Sequence, residues 1–266
     1  GLLYTGTAQA HPGIPAVPLL TGHLMSAPEN KTALVTGASS GIGEAISAEL
    51  LEDGYRVIGI ARDFGKSCID HEQFLPLSVD LSQLHTLPDR LEKLARDEPN
   101  IDSVICCAGS GRFGSLEEFS YAQISALLDL NLTSQIFLAR ALLPAMKRRA
   151  AGDIVFIGSE AAVSGGKRGA VYSAAKFGLR GVAQSLRQEC ASSGVRVSLI
   201  NPGMVKTAFF DQLDFRPGDD ADNYILPQDV ASVVLSVLHS RPGTVFDEIN
   251  LSPQKKVVRF SKPDKH

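Results

Sequence analysis

Uninterrupted apolar runs, not alternating ones, recur along the chain: Ala33-Leu-Val35, Val57-Ile-Gly-Ile-Ala61, Val104-Ile-Cys-Cys107, Ile154-Val-Phe-Ile157 and Val197-Ser-Leu-Ile200. Such runs are too short for helices and suit strands buried on both faces. With the neighbouring pattern they predict strands near 32–36, 55–61, 74–79, 102–107, 153–158, 195–200 and 245–251, with helices filling the gaps. Strands that alternate with helices imply a parallel sheet. Right-handed crossovers then put helices on both faces, a doubly wound α/β layout. Ligands bind such a sheet at the carboxyl ends of its strands.

Composition narrows the picture. The 266 residues suffice for one large α/β domain, and 44% hydrophobic content suits a buried core. Residues 29–266 are expected to form that single domain. A net charge of −3 with interspersed signs offers no basic surface for nucleic acid. Residues 1–28 hold no Lys, Arg, Asp or Glu, but Pro12, Pro15, Pro18 and Pro28 interrupt them and no membrane-spanning run forms. They read as a flexible leader, with Met25 as the natural start. Cys68, Cys106, Cys107 and Cys190 lack metal-ligand spacing and fit a reducing cytoplasm. On a strand, Cys106 and Cys107 point to opposite faces as small apolar residues.

Two segments carry chemistry. The first strand feeds Gly37-Ala-Ser-Ser-Gly41-Ile-Gly43 and then a helix from Glu44. A strand, a glycine turn and a helix start aim free backbone N–H groups and the positive end of a helix dipole at one point, which suits a pyrophosphate. The spacing is Gly-x-x-x-Gly-x-Gly, unlike the usual Gly-x-Gly-x-x-Gly. The second segment is Tyr172-Ser-Ala-Ala-Lys176 in a helical run, where four-residue spacing stacks a phenol and an ammonium on one face. A cation beside a phenol favours phenolate, so Lys176 is expected to lower the pKa of Tyr172 toward neutrality.

Thr36-Gly37-Ala-Ser-Ser-Gly41-Ile-Gly43, Asn131, Ser159 and Tyr172-Ser-Ala-Ala-Lys176, in that order, resemble the short-chain dehydrogenase/reductases, from about Lys31 to Leu251. Ser159 ends an apolar run thirteen positions before Tyr172 (172 − 159), as in the classical branch of that family. The resemblance implies a Rossmann-like doubly wound parallel sheet of about seven strands and an enzyme moving hydride between a nicotinamide cofactor and a small carbonyl or alcohol. Tyr172 would give the proton, Ser159 would orient the substrate oxygen, and Lys176 would tune Tyr172 and hold the nicotinamide ribose. Asn131 would hold a helix open around a water leading to Lys176. Cofactor contacts are expected from Gly37, Ser39, Ser40, Gly41, Ile42, Gly43, Arg62, Asp80, Ala108, Gly109, Tyr172, Lys176, Pro202, Gly203, Val205 and Thr207. Asp80 would touch the adenine, while Pro202-Gly203 and Thr207 would bracket the nicotinamide. No metal is expected. One departure stands out: Cys107-Ala108-Gly109 replaces the family's Asn-Ala-Gly, which puts local strand bracing in doubt.

The second strand ends in Ala61-Arg62, where an acidic residue would grip the 2′-hydroxyl of NAD; a cation suits the 2′-phosphate of NADP instead. NADP(H) is therefore the expected cofactor and NAD(H) the alternative, with Asp63 and Ser40 arguing the other way. The segment Met204–Leu226, with Phe209, Phe210, Phe215 and several aspartates, reads as a partly apolar lid over substrate. Lys167 and Arg168 read as a charged loop tip, with contact to an acidic substrate as the alternative, and Leu226-Pro-Gln-Asp-Val before a terminal strand is similar to reductases of small 3-hydroxy acids and 3-oxoacyl groups. Relatives assemble through the helices spanning Leu130–Met146 and Val171–Leu186, so a homotetramer or homodimer is expected. The competing readings are an NADP(H)-sensing regulator of the same fold that performs no reaction, and a structural assembly subunit that binds no dinucleotide.

Overall fold

A computed structural model of the chain describes residues 31–260, and the expected leader lies outside the described residues. Seven strands form one parallel sheet: β1 Thr32–Thr36, β2 Arg56–Ala61, β3 Phe74–Ser78, β4 Ile101–Cys106, β5 Gly152–Ile157, β6 Val195–Pro202 and, after a later pair member, β8 Glu248–Leu251. Their order is β3-β2-β1-β4-β5-β6-β8. The direction of winding reverses between β1 and β4, so the crevice outside their carboxyl ends is the expected ligand site. The last strand starts at Glu248 and not at residue 245, because the preceding Thr244–Asp247 stretch is a loop.

The apolar runs form strands because each supplies both faces at once. Leu34, Ile58, Val104, Ile154 and Phe156 enter one core. Their neighbours Ala33, Val35, Val57, Ile105 and Val155 enter the other. Each large side chain so buried stabilises the fold by roughly 1.5–3 kcal/mol. Helices α2 (Leu87–Asp97), α4 (Ser134–Arg149) and α5 (Ala170–Cys190) cover the first face through Leu91, Leu138, Leu142, Met146 and Leu179. Helices α1 (Gly41–Glu52) and α6 (Pro227–Leu238) cover the second through Ile46, Leu50, Val230 and Val234. Cys106 and Cys107 divide between the two cores as expected. The edge strand β3 is half exposed and tolerates Pro76 there.

One helix departs from the expected span. Helix α3 (Tyr121–Leu128) runs into a π-turn, Asp129–Thr133, before α4 begins. The whole stretch Tyr121–Arg149 is apolar and long enough in composition to cross a membrane. Its apolar side, however, packs inside the molecule, Leu138, Leu142 and Met146 against the sheet and Leu127 with Val171 and Tyr172 of α5. A small antiparallel pair, β7 (Phe215–Pro217) with β9 (Val258–Phe260), completes the described chain. It joins the lid to the chain's last described residues, and the sequence pattern gave no sign of it.

Arg196 on β6 ties the far ends of the layers together. It grips Asp153 of β5 with two bonds of 2.6 and 3.0 Å and also donates to the Leu238 and Ser240 carbonyls at the end of α6. Burial raises the Asp153 pKa, and the guanidinium opposes it, so the pair is buried with its donors matched.

Candidate active site

The glycine turn sits where β1 hands over to α1. Gly37 and Gly41 take left-handed φ values of 71° and 56°, which favour glycine. A Cβ on Gly37 would stand 3.1 Å from Ala108 Cα, and one on Gly41 3.2 Å from Thr207 Cγ2. Gly43 is tighter: its Cβ would meet the Gly37 carbonyl oxygen at 2.3 Å. Ser40 precedes α1 without a side-chain cap, leaving the first-turn N–H groups open to an anion. The turn, Ala108 and the Thr207 region therefore border one crevice at the β1–β4 switch point. It is shaped for a ligand backbone to approach closely, and the residues fit a dinucleotide.

The strand bracing that Cys107 put in doubt comes from Thr36. Its hydroxyl accepts the Cys107 and Ala108 N–H groups, each at 3.0 Å, and donates to the Ile105 carbonyl at 3.4 Å. Backbone donors fix the end of β4, so the side chain at 107 is not required for it. Burial pushes the Cys107 thiol up to about 12 with Lys176 nearby opposing, which keeps it an inert thiol.

Ser159, Tyr172, Lys176 and Asn131 converge at the same carboxyl edge. Ser159 follows β5 and caps a short 3-10 turn by accepting the Ala161 N–H at 3.1 Å; its own N–H donates to Asn201 Oδ1 at 3.3 Å. Asn201 is held in turn by Glu248 and Asn250, both at 3.0 Å. Tyr172 and Lys176 are buried on one face of α5, with Lys176 Nζ 5.8 Å from the tyrosine ring centre. Lys176 Nζ donates to the Ile157 carbonyl at 3.1 Å. Asn131 lies in the π-turn, where its amide donates to the Leu127 and Ser110 carbonyls at 2.9 and 3.0 Å and its oxygen accepts the Ser110 N–H at 3.2 Å. The side chain thus takes up the Leu127 carbonyl within the widened helix. Gly109 sits between Asn131 and Lys176: a Cβ there would be 2.7 Å from Asn131 Oδ1 and 3.7 Å from Lys176 Nζ.

Lys176 by itself does not bring the Tyr172 hydroxyl toward neutrality. Burial pushes its hydroxyl up to about 12; a hydrogen bond with Ser159 pulls the other way, and the charge of Glu160 adds to the rise. Lys176 does not offset this, because burial also depresses its own ammonium to about 8 and its donor is directed at Ile157. Desolvation outweighs the pair attraction when both partners are buried.

The depressed lysine has a measurable consequence for stability. Between pH 8 and 10.5 the unfolded chain holds a proton on Lys176 that the folded chain has lost, so this group makes stability rise with pH across that window. Tyr172 acts oppositely but only above pH 10. Lys176→Met is accordingly expected to gain on the wild type at pH 7, by on the order of 3 kcal/mol relative to pH 10.5. Denaturant unfolding of both proteins at the two pH values checks this.

The remaining predicted positions are partly gathered here. Ser39 and Ile42 belong to the glycine turn and the start of α1. Arg62 follows β2, exposed, and its charge helps lower the Asp80 pKa. Asp80, expected at the adenine, directs its carboxylate into its own turn, accepting from the Ser82 N–H at 3.0 Å and the Ser82 hydroxyl at 2.7 Å. Pro202 ends β6, and Gly203 abuts the Leu251 carbonyl. Val205 pairs with Ile225, and Thr207 caps the 3-10 turn Ala208–Phe210. A cavity of about 550 Å³ opens beside Gly41 and Thr207, bounded by Glu44, Ile69 and His71; the tyrosine, serine and lysine do not line it.

The lid is fastened by long-range ion pairs. Arg168 is more than a loop tip: it meets Asp214 at 2.8 Å and Glu118 at 3.8 Å. From the chain's last described stretch, Lys255 meets Asp222 at 2.7 Å, Arg259 meets Asp219 at 2.6 Å, and Lys256 meets Glu160 at 2.6 Å. Thr36, Asn201 and Glu160 act in this region beyond the roles the motifs assigned. Thr36 stood inside the glycine motif, whereas nothing local in the sequence marks the other two.

Residues 31–216 match the short chain dehydrogenase family. An uncharacterized oxidoreductase of Staphylococcus aureus is 30% identical over 230 residues, 84% of this chain and 97% of that protein. Among solved structures, an alcohol dehydrogenase from the archaeon Thermococcus sibiricus complexed with 5-hydroxy-NADP matches with a TM-score of 0.76 at 27% identity, over 86% of this chain and 99% of its own. A metagenomic short-chain oxidoreductase in complex with NADP matches with a TM-score of 0.71 at 31% identity, over 85% and 98%. Fold and sequence define an oxidoreductase of the Rossmann type. The chain belongs to the short-chain dehydrogenase family.

Proposed function

We propose that this chain interconverts a carbonyl and a secondary alcohol with NADP(H), with Tyr172 as the general acid and base. One observation carries the reading: Tyr172 and Lys176 are buried on one face of α5, with Lys176 Nζ 5.8 Å from the tyrosine ring centre, on the carboxyl edge where Ser159 follows β5, beside a crevice that the glycine turn opens to a dinucleotide. The nicotinamide, when bound, exchanges hydride with the substrate carbon, and the carbonyl is reduced to the alcohol as NADPH becomes NADP⁺. Carbonyl reduction builds negative charge on the substrate oxygen. Tyr172, a phenol protonated at neutral pH, donates the proton that oxygen needs. Ser159 orients the same oxygen by a second hydrogen bond. Lys176 would hold the ribose hydroxyls and, beside Gly109 and Asn131, supplies the positive charge that stabilises the phenolate left on Tyr172 once its proton has gone. The first-turn N–H groups of α1 hold the pyrophosphate.

The choice of NADP over NAD rests on the end of β2. Asp63, the carboxylate next in sequence to Arg62, accepts the Gly65 N–H at 2.9 Å and serves its own turn. Arg62 is left as the exposed charge at that edge. The two solved relatives named above carry NADP or its 5-hydroxy derivative, in keeping with this reading. Arg62→Ala is expected to weaken NADPH binding about 10- to 100-fold, the range of a lost charge-assisted contact, while barely changing NADH. Fluorescence titration with both cofactors measures it; equal losses for the two would refute the 2′-phosphate role.

The same reading extends to assembly. Between α4 and α5 an apolar groove of about 820 Å³ is lined by Ile136, Leu143, Pro144, Gly178 and Val182. This is the face through which two or four copies would associate.

A further inference from the structure

Five aromatic rings close a circuit that begins and ends at Tyr172. Phe113 lies 5.2 Å from the Tyr172 ring centre, Phe215 lies 4.9 Å from Phe113, Phe210 5.8 Å from Phe215, Phe209 5.2 Å from Phe210, and Tyr172 6.2 Å from Phe209. These rings come from the loop after β4, from α5 and from the lid, three segments far apart in sequence. Phe113, Phe209, Phe210 and Phe215 all stay half-buried, unlike the side chains of the two main cores. The interplanar angles of 51–85° around the circuit leave edges and faces for a further flat group to meet. Exposed Val163 extends the apolar rim on the Ser159 side.

The charges nearby do not welcome an anion. Arg168 is held by Asp214 and Glu118, and Lys256 by Glu160. The lid itself, Met204–Leu226, carries five aspartates against Lys206 and Arg216. Asp214, Asp219 and Asp222 are paired with Arg168, Arg259 and Lys255, so an acidic substrate approaching Tyr172 would find these cations already committed.

We propose that the substrate is an uncharged ketone or secondary alcohol with an aryl or similarly flat apolar group on the reacting carbon, and that Phe113, Phe209 and Phe215 set this specificity. The inference rests on the proposed function, since it names the substrate of that same site. Reduction consumes one ketone, one NADPH and one proton; the carbon gains hydride, the oxygen gains the proton, and NADPH is oxidised to NADP⁺.

The test compares NADPH-dependent reduction of acetophenone and of acetoacetate by the wild type, Phe113→Ala, Phe209→Ala and the volume-keeping Phe113→Leu, alongside calorimetry of 1-phenylethanol binding to each protein with NADP⁺. The expected result is a kcat/KM about 100-fold higher for acetophenone, falling about 10-fold or more in the Phe113 and Phe209 variants, with acetoacetate little changed. Phe113→Leu keeps the conclusion open to refutation should either alanine variant fail to fold. Equal or better use of acetoacetate, or a preference that survives all three substitutions, overturns the aromatic specificity and leaves the oxidoreductase reading intact. Absence of any turnover overturns the reaction itself. In that case phenylethanol binding lost in the Phe113 variants upholds the aromatic site, and no binding overturns it.

Discussion

Tyr172→Phe is expected to lower turnover by roughly a thousandfold or more, the upper part of the range for a lost proton donor, while the Kd for NADPH stays within a few-fold of wild type. Phenylalanine keeps the ring, and with it the tilted contacts to Phe113 and Phe209 and the position under Lys176 Nζ. Only the hydroxyl is removed, and Ser159 keeps the Ala161 N–H as its partner. The stability change should therefore be small, about 1 kcal/mol or less. Single-turnover reduction measured beside a cofactor titration separates the two effects. Normal turnover in this variant would remove Tyr172 from the chemistry, and a loss of cofactor binding to match the loss of turnover would make its role structural.

The second large effect is expected at Gly43, where substitution by alanine should abolish tight dinucleotide binding and cost roughly 2–3 kcal/mol of stability. The added Cβ would lie 2.3 Å from the Gly37 oxygen, 2.6 Å from the Gly37 carbonyl carbon and 3.1 Å from the Thr36 oxygen. All three are backbone atoms of the turn, so relief requires moving the main chain that aims its N–H groups at the pyrophosphate. Gly166 offers a control, because nothing stands within 4 Å of a Cβ built there. Thermal unfolding and NADPH titration of both variants provide the comparison. A Gly43→Ala protein that binds NADPH like the Gly166→Ala protein would contradict a close backbone approach by the cofactor.

Sequence reading reached the sheet because its information is local: Ile154-Val-Phe-Ile157 fills both cores by itself, and no distant residue is needed to decide that it is a strand. That Ser159, Tyr172 and Lys176 share one edge could be read for a similar reason, since they are placed by one strand end and one helix. What escaped depends on partners far away in the chain. Strands β7 and β9 have three residues each and no periodic pattern; they are defined by each other and by the Arg259–Asp219 pair. The ties Arg168–Asp214 and Lys256–Glu160 span 46 and 96 positions. Burial at Tyr172 is likewise invisible to spacing, which reveals the neighbouring charge but not the depth at which the phenol lies. The turn contacts of Asp80, whose carboxylate accepts from Ser82 two residues on, are ones any Asp-x-Ser can make.

The hydroxyl of Thr36 fastens β4 by two amide hydrogens that every residue but proline possesses. Position 107 is thereby released from architectural duty and becomes an evolutionary degree of freedom lying within electrostatic range of Lys176. Drift at this one site can retune the ammonium without disturbing the scaffold: a thiol leaves it nearly unopposed, and an acid would anchor its charge.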